Sequence, residues 1–280
     1  MPPIRRATRS ARAGVRKVLG RLSSDRRTPS PKTKQKPLPL VERTNALSIE
    51  EFESLYIPSS ELRFEKESRN TQPQEAGNLS TNSSTLEIDA YTVSSYSSST
   101  ISDEDIDSCL NLIELTSSAA YKASSGGWSL TEKRKEMKLP DMKYMILRRE
   151  IENTVPDRVS KANESGDSED HQEAGIFAGF LEYMVTYEDG YEVLYCYEIH
   201  LTPEVQGLGL GEELMGRFER MGQRIGLEKA MLTVFKSNGR AITFYERAGF
   251  AEDENSPRPR RLRNGTVKEV DYTIMSKKLR

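Results

Sequence analysis

Apolar and polar positions alternate most regularly between Val193 and Leu201. Val193, Tyr195, Tyr197, Ile199 and Leu201 take one parity and Leu194, Cys196, Glu198 and His200 the other, in a run rich in β-formers, so the segment reads as a strand. Pro203 ends it, having no N–H to give a ladder. A turn with Gly207, Gly209 and Gly211 follows, and a helical pattern runs from Gly209 to about Arg224. Further strands are predicted at Met142–Arg148, Gly175–Tyr187, Lys229–Phe235 and Val267–Ser276. Glu188-Asp189-Gly190 turns the second of these back into Tyr191–Leu201 as an antiparallel hairpin. Helices are expected from Ser102 towards Tyr121, with Asp103, Glu104 and Asp105 at the positive dipole end, over Thr131–Met137, and over Asn238–Arg247. Together these imply an α/β (α+β) fold: a mixed, mostly antiparallel central sheet with helices on both faces.

The first hundred residues read differently. Residues 1–40 hold twelve Lys/Arg, one acid and six prolines, and cannot bury a core. They are expected to be a disordered basic tail, open to three readings. It is a solvated tail, a nuclear or nucleic-acid-binding tail, or a mitochondrial presequence carried by Arg5, Arg6, Arg9, Arg12 and Arg16. Ser48-Ile49-Glu50-Glu51 is a capping box that opens a short peripheral helix to Tyr56. Ser, Thr, Asn and Gln then dominate 59–100, so 41–100 reads as that helix plus a linker, and 101–280 as the folded domain. Residues 151–173 read as a flexible insertion in a hairpin.

Composition adds an asymmetry. The net charge of -2 hides a body, residues 41–280, with 29 basic and 42 acidic residues, which suits a basic substrate. Two cysteines, Cys109 and Cys196, exclude a disulfide framework and sit in apolar patterns as core residues. Two histidines make a His-rich metal site unexpected, and no apolar run approaches the roughly 20 residues of a membrane span.

A glycine turn between strand and helix aims backbone N–H groups at a phosphate. No Gly-Lys-Ser/Thr follows, so this is not a Walker loop, and no βαβ unit with a ribose-binding acid follows, so it fits a dinucleotide fingerprint poorly. Gln206-Gly207-Leu208-Gly209-Leu210-Gly211 instead resembles the pyrophosphate loop of the GNAT superfamily of N-acetyltransferases. Asn238, Ala241, Phe244, Tyr245, Gly249 and Phe250 resemble that superfamily's Asn…Ala…Phe-Tyr…Gly-Phe helix and turn. A narrower resemblance, to the N-alpha-acetyltransferase 40 (NatD) family, is carried by Leu194–Glu198, Met231–Lys236, and Gly127-Trp128 with Glu132–Met137. It covers Ile101 to the C-terminus, with a fainter echo from about Asn45.

The resemblance implies a GNAT fold with splayed central strands, acetyl-CoA as cofactor, and acetylation of the amino termini of histones H4 and H2-A in nucleus and cytoplasm. It implies H4 and H2-A N-terminal peptides as partners, near chromatin or the ribosome; a monomer without membrane contact is expected. Acetyl transfer needs a neutral amine, a held oxyanion and a thiolate able to leave. An α-amine titrates near ~7.7–8.0, so a modest base suffices, and Glu198 is the candidate, acting directly or through a water. Backbone groups of Ile199, His200 and Leu201 are expected to hold the pantetheine arm, with Leu201 N–H at the oxyanion. Gln206, Gly207, Leu208, Gly209, Leu210, Gly211 and Glu212 are expected at the pyrophosphate. Asn238 is expected at the cofactor's amide, as an N-cap, or both. The cofactor can pair only if this strand splays from Lys229–Phe235, and a β-bulge near Tyr197 would produce the splay and re-aim Tyr197 and Glu198.

Tyr245 takes the position where many superfamily members place a tyrosine that protonates the thiolate; it reads as catalytic acid or wall residue. Tyr121, Tyr197, Thr233 and Tyr272 match substrate-contacting positions, with Tyr195 beside them and Asn255 near another rim. The family's first hairpin acid falls at Thr186, which shifts an acidic contact to Glu188, and its extra tryptophan falls at Gly126. Trp128 is expected to pack helices on the sheet, and the basic run from Arg258 to Arg263 to be a solvated loop. Two other functions stay open: acetylation of lysine side chains or small amines, and a non-catalytic acetyl-CoA-binding chromatin module.

Overall fold

Side-chain caps fix where the helices begin. Ser48, Ser102, Ser129 and Asn238 each accept a backbone N–H three residues on, and Glu51 returns a bond to Ser48 N–H to complete the capping box. The computed structural model describes residues 37–69, 86–151, 175–261 and 263–280. In chain order the elements are α1 (Leu40–Asn45), α2 (Ile49–Tyr56), β1 (Arg63–Arg69), β2 (Leu86–Ser97), α3 (Asp103–Ala123), α4 (Leu130–Met137), β3 (Lys143–Arg149), β4 (Ile176–Glu188) and β5 (Tyr191–Leu201). Then follow α5 (Leu210–Ile225), β6 (Lys229–Phe235), α6 (Gly239–Arg247), β7 (Ala251–Glu252), β8 (Arg260–Arg261), β9 (Val267–Lys268) and β10 (Tyr272–Lys278). The expected tail over 1–36 and the insertion over 152–173 lie outside the described residues.

Eight strands form one sheet in the order β1-β2-β3-β4-β5-β6-β10-β7. Every pair is antiparallel except β5 and β6. The expected mixed, mostly antiparallel sheet with helices on both faces is the observed one. Successive residues of β4 show the two faces. Tyr183 packs on Phe218 of α5 and Phe52 of α2, whereas Glu182 meets Tyr144 on the side of α3 and α4. The buried stripe of α5 is Leu210, Leu214, Met215, Phe218, Met221 and Ile225, one face of a 3.6-residue period. A Schellman turn closes this helix: Gly226 is left-handed at φ 87° and Leu227 N–H reaches Gly222 O.

Two expectations need correction. Residues 41–100 do not form a peripheral helix plus linker: β1 and β2 extend the sheet, so the folded unit begins near Leu40. Phe52 of α2 is fully buried, and Glu61 takes ion pairs from Arg220 and Arg224 of α5. The misreading has a physical source. Only Tyr91 and Val93 of β2 are buried hydrophobics, and its Ser and Thr positions are half-buried, so the strand carries little apolar alternation. The expected strand Val267–Ser276 is also two strands. Val267–Lys268 pairs with Arg260–Arg261, so part of the basic run is a small hairpin. Asp271 breaks the path by accepting Ser125 N–H on its side chain and Lys236 N–H on its carbonyl.

Candidate functional site

The site forms where two neighbouring strands part. β5 and β6 pair from Val193↔Lys229 to Cys196↔Leu232 and no further among the described residues. Beyond that point β5 follows β4 up to Leu201↔Gly179, while β6 follows β10 up to Phe235↔Tyr272. A bulge drives the separation. Glu182 faces Glu198 and Tyr183 faces Cys196, so Tyr197 is the extra residue on β5. The bulge and splay fall where the alternation of the strand placed them.

The ladder shows which backbone groups line the gap. Thr202 N–H bonds Ala178 O, so the alternation of an antiparallel pair turns His200 and Glu198 N–H towards β4. Those of Ile199 and Leu201 face the gap by the same alternation. His200 was grouped with them as a backbone contact; its main chain is instead spent on β4. Leu201 O accepts from Gln206 Nε2 at 3.0 Å. Gly207 and Gly209 both sit at left-handed φ, 83° and 80°, so only glycine takes this turn without strain. The turn delivers the N-terminus of α5, with Leu210, Gly211 and Glu212 N–H in the first turn, where no intrahelical acceptor exists. Gly211 lies against the ring of Phe244, where an added Cβ would sit 3.3 Å away. Lys66 of β1 reaches the same turn: its Nζ is 3.6 Å from where a Cβ on Gly209 would stand, and 3.0 Å from Glu213 Oε1. Nothing in the sequence pointed to Lys66, because β1 was read as linker.

Glu198 lies beside the gap, 5% exposed. Lys133 Nζ meets Glu198 Oε1 at 2.5 Å, and Tyr121 donates its hydroxyl to the same oxygen at 2.5 Å. Glu198 Oε2 is 2.7 Å from His200 Nε2. Burial works against the charge, but Lys133 and then His200 outweigh it and hold the Glu198 carboxyl well below the usual carboxylate range. Lys133 is itself buried, and despite that burial Glu198 and Glu136 keep it protonated, its pKa raised. Lys133 was missed because α4 reads as a solvated charged helix. Its one signal is the four-residue spacing to Met137, which is also buried.

The remaining residues divide by place. Tyr197 is buried beside Tyr195, ring centroids 5.3 Å apart, and Tyr195 OH meets Thr233 Oγ1 at 2.5 Å. Tyr121 packs between Trp128 and Phe235, which gives Trp128 its packing role. Tyr245 is buried on α6; burial, then the neighbouring Cys196 and Glu198, push its phenol well above the usual value, so it stays protonated. Asn238 caps α6 by accepting Ala241 N–H at 3.1 Å. Tyr272 is half-buried opposite Phe235. Thr186 and Glu188 lie four and six residues along β4 from Glu182, roughly 13–20 Å at strand rise, so they are not gathered around Glu198. Asn255 is exposed at the β7 edge, with β6 and β10 between it and β5. An open cleft of ≈ 620 Å³ at the hairpin end is lined by Tyr191, Lys229, Asp253 and Glu254 among others, and Glu198 is not part of it. Both cysteines are buried. No group of His, Cys, Asp and Glu arranged for a metal occurs among the described residues, and no helix there is long and apolar enough to cross a membrane.

Residues 147–250 match the model of the acetyltransferase (GNAT) family. Solved structures similar to this chain include the ribosomal-protein-S18-alanine N-acetyltransferase from Escherichia coli, at 19% identity over 68% of this chain and 94% of that one, TM-score 0.42. Ard1 from Thermoplasma volcanium is 13% identical over 67% of this chain and 97% of that one, TM-score 0.41. Spermidine N-acetyltransferase from Vibrio cholerae, in complex with CoA and spermine, is 16% identical over 67% and 95%, TM-score 0.42.

Proposed function

We propose that this chain, which has the GNAT fold and carries an acetyltransferase domain of that family, moves acetyl from acetyl-CoA to the N-terminal α-amine of a protein, with histones H4 and H2-A as substrates. The carrying observation is the ionised Glu198 held beside the gap between β5 and β6. The residues fit the cofactor. The turn at Gly207 and Gly209, with the first N–H groups of α5 and Lys66 nearby, suits a pyrophosphate, and Ile199 and Leu201 offer N–H groups along the gap for a pantetheine amide and an oxyanion. Acetyl-CoA supplies the thioester; the protein supplies position, an oxyanion donor and a proton acceptor. Tyr245, protonated at every working pH, is the group that returns a proton to the thiolate.

Base strength favours the α-amine over lysine. Lys133 makes Glu198 a weak base, adequate for an amine near ~7.7–8.0 and poorly matched to a lysine near ~10.4. The buried tyrosines 121, 195 and 197 favour a narrow mouth that takes an extended amino terminus. Histone specificity, a nuclear and cytoplasmic location and proximity to chromatin rest on the NatD resemblance. A histone H4 amino-terminal peptide and its N-blocked twin, incubated with labelled acetyl-CoA, test the proposal. Label on the free peptide alone supports it; equal label on both turns the reading to lysine; cofactor binding with no label on any histone peptide turns it to a non-catalytic module.

A further inference from the structure

The carboxylate of Glu198 has a neighbour that the reaction above leaves without a task. His200 Nε2 lies 2.7 Å from Glu198 Oε2, and His200 Nδ1 lies 2.7 Å from Thr116 Oγ1. Thr116 Oγ1 also lies 2.7 Å from Leu112 O, one turn back on α3. A hydroxyl has one hydrogen and two lone pairs. When that hydrogen goes to Leu112 O, His200 Nδ1 must supply the hydrogen of their contact. When it goes to Nδ1, that nitrogen is bare. Both arrangements satisfy every polar atom, because Leu112 O keeps its helical bond within α3. One hydroxyl rotation therefore lets the imidazole hold one proton more or one fewer with no heavy atom moving. The ring's place is equally specific. Its side chain is 9% exposed and stacks on Phe180, while Thr116 is exposed on α3, so the ring joins a buried carboxylate to a surface hydroxyl.

We propose that His200, gated by Thr116, is the exit for the proton released in acetyl transfer. This rests on the reading of Glu198 as the acceptor. As the amine is acylated, its N–H bond breaks, the electron pair stays on nitrogen, and the proton joins the Glu198 carboxylate. The Glu198–His200 pair then holds one proton in excess. That proton leaves from Nδ1 to water at Thr116, and the pair returns to its starting charge. The second acceptor is needed because a carboxylate pinned by Lys133 is a poor place for a proton to stay. The groups around the ring are Glu198 on its own strand, Thr116 and Tyr121 from α3, Lys133 and Glu136 from α4, and Phe180 and Glu182 from β4. With Glu182 protonated, the fixed charges are one ammonium and two carboxylates, a net negative setting for a transient imidazolium. His200 acts through Glu198 and is a positioning and relay residue.

The test compares wild type, His200→Gln and Thr116→Val. Gln keeps a donor for Glu198 Oε2 but cannot gain a proton. His200→Gln is expected to keep the KM for acetyl-CoA, lose kcat by roughly 10–100-fold, and change the acid side of the kcat/KM profile. Thr116→Val, on an exposed helix face, is expected to show a smaller loss with that side of the profile displaced. A second readout does not need turnover. The chain has two histidines, so His171→Gln assigns the ring-nitrogen NMR signals of His200. Those signals should move between about pH 5 and 9, and Thr116→Val should change the balance of the two nitrogens. Wild-type kcat and pH profile in His200→Gln, or ring signals that Thr116→Val leaves untouched across that range, overturn the proposal. If wild type acetylates no amine, the acetyl-transfer reading fails on its own, and the ring-nitrogen arm still decides whether His200 stores a proton.

Discussion

Two glutamates face each other across one rung of the sheet and live in opposite states. Glu182 on β4 and Glu198 on β5 are direct partners, both buried, both turned to the side of α3 and α4. Glu198 is held ionised, well below its usual range. Burial pushes Glu182 the other way, up to about 8, so it keeps its proton at neutral pH. Glu182 Oε1 has only a long contact, 3.4 Å, from Tyr144 OH, and its Oε2 has no partner among the described residues. Neighbouring carboxyls in a dry place cannot both ionise cheaply. Lys133, against Glu198 Oε1, decides which one does. Chemistry at this site is set less by where the carboxyls are than by where one ammonium is.

The largest expected effect comes from removing the ionised partner. Glu198→Gln should lower kcat by about 10²–10⁴-fold with acetyl-CoA binding retained, read by turnover and by cofactor titration. It should also destabilise the fold by about 3–5 kcal/mol in urea, because Lys133 is left buried without its main counter-charge. Adding Lys133→Met should restore most of that stability and none of the turnover. In the single variant, Glu182 should begin to ionise in place of the lost partner, and a falling carboxyl titration point by NMR would register the exchange. Wild-type turnover in Glu198→Gln would remove the basis for the functional reading.

The protonated partner gives the next effect, through pH. Glu182 has a folded pKa of about 8, above its unfolded value of 4.5, so the folded state binds the extra proton. Its contribution is fully present below the unfolded value and is lost as pH rises through the folded one. Wild-type stability should therefore fall between about pH 5 and 8, by at most ~1.4 kcal/mol per pH unit. Glu182→Gln, a near match to the neutral acid, should flatten that fall and change little at pH 5. Glu198 contributes with the opposite sign, present above its unfolded value and lost only in strong acid. Urea midpoints across the range separate the two. An equal slope in wild type and Glu182→Gln would mean that Glu182 is ionised after all.

The sequence carried one of these glutamates and not the other. Glu198 was visible because a carboxylate in a β-rich run beside a phosphate turn is out of place, and the bulge that aims it was expected at Tyr197, where it occurs. Glu182 was invisible, because its state depends on a rung partner and on a lysine from a helix 49 positions away in the chain. Lys133 sits in Glu-Lys-Arg-Lys-Glu, a composition that describes exposed helices as a rule. The order of elements after Ile101 was legible because strands β4, β5 and β6 are long, apolar and well punctuated. Residues 59–100 were not, since a half-buried strand of serines and threonines has the composition of a linker. What pattern shows is the contacts of a residue with its own element; partners from elsewhere set the charge states.

The smallest effect contrasts two lysines. Lys133 is sealed against a carboxylate, whereas Lys66 is 31% exposed at the mouth of the glycine turn and pairs with Glu213. An exposed charge of this kind is worth little beyond ~1 kcal/mol and is screened by salt. Lys66→Ala should raise the KM for acetyl-CoA by about threefold at low ionic strength, with kcat unchanged. Because Glu213 also holds Arg217, which packs on Phe64, the helix should not shift when Lys66 is lost. The rise in KM should shrink as salt is added, since screening removes an attraction the variant already lacks. A salt-independent change, or a loss in kcat, would mean that Lys66 acts through the fold of β1 and not through charge at the turn.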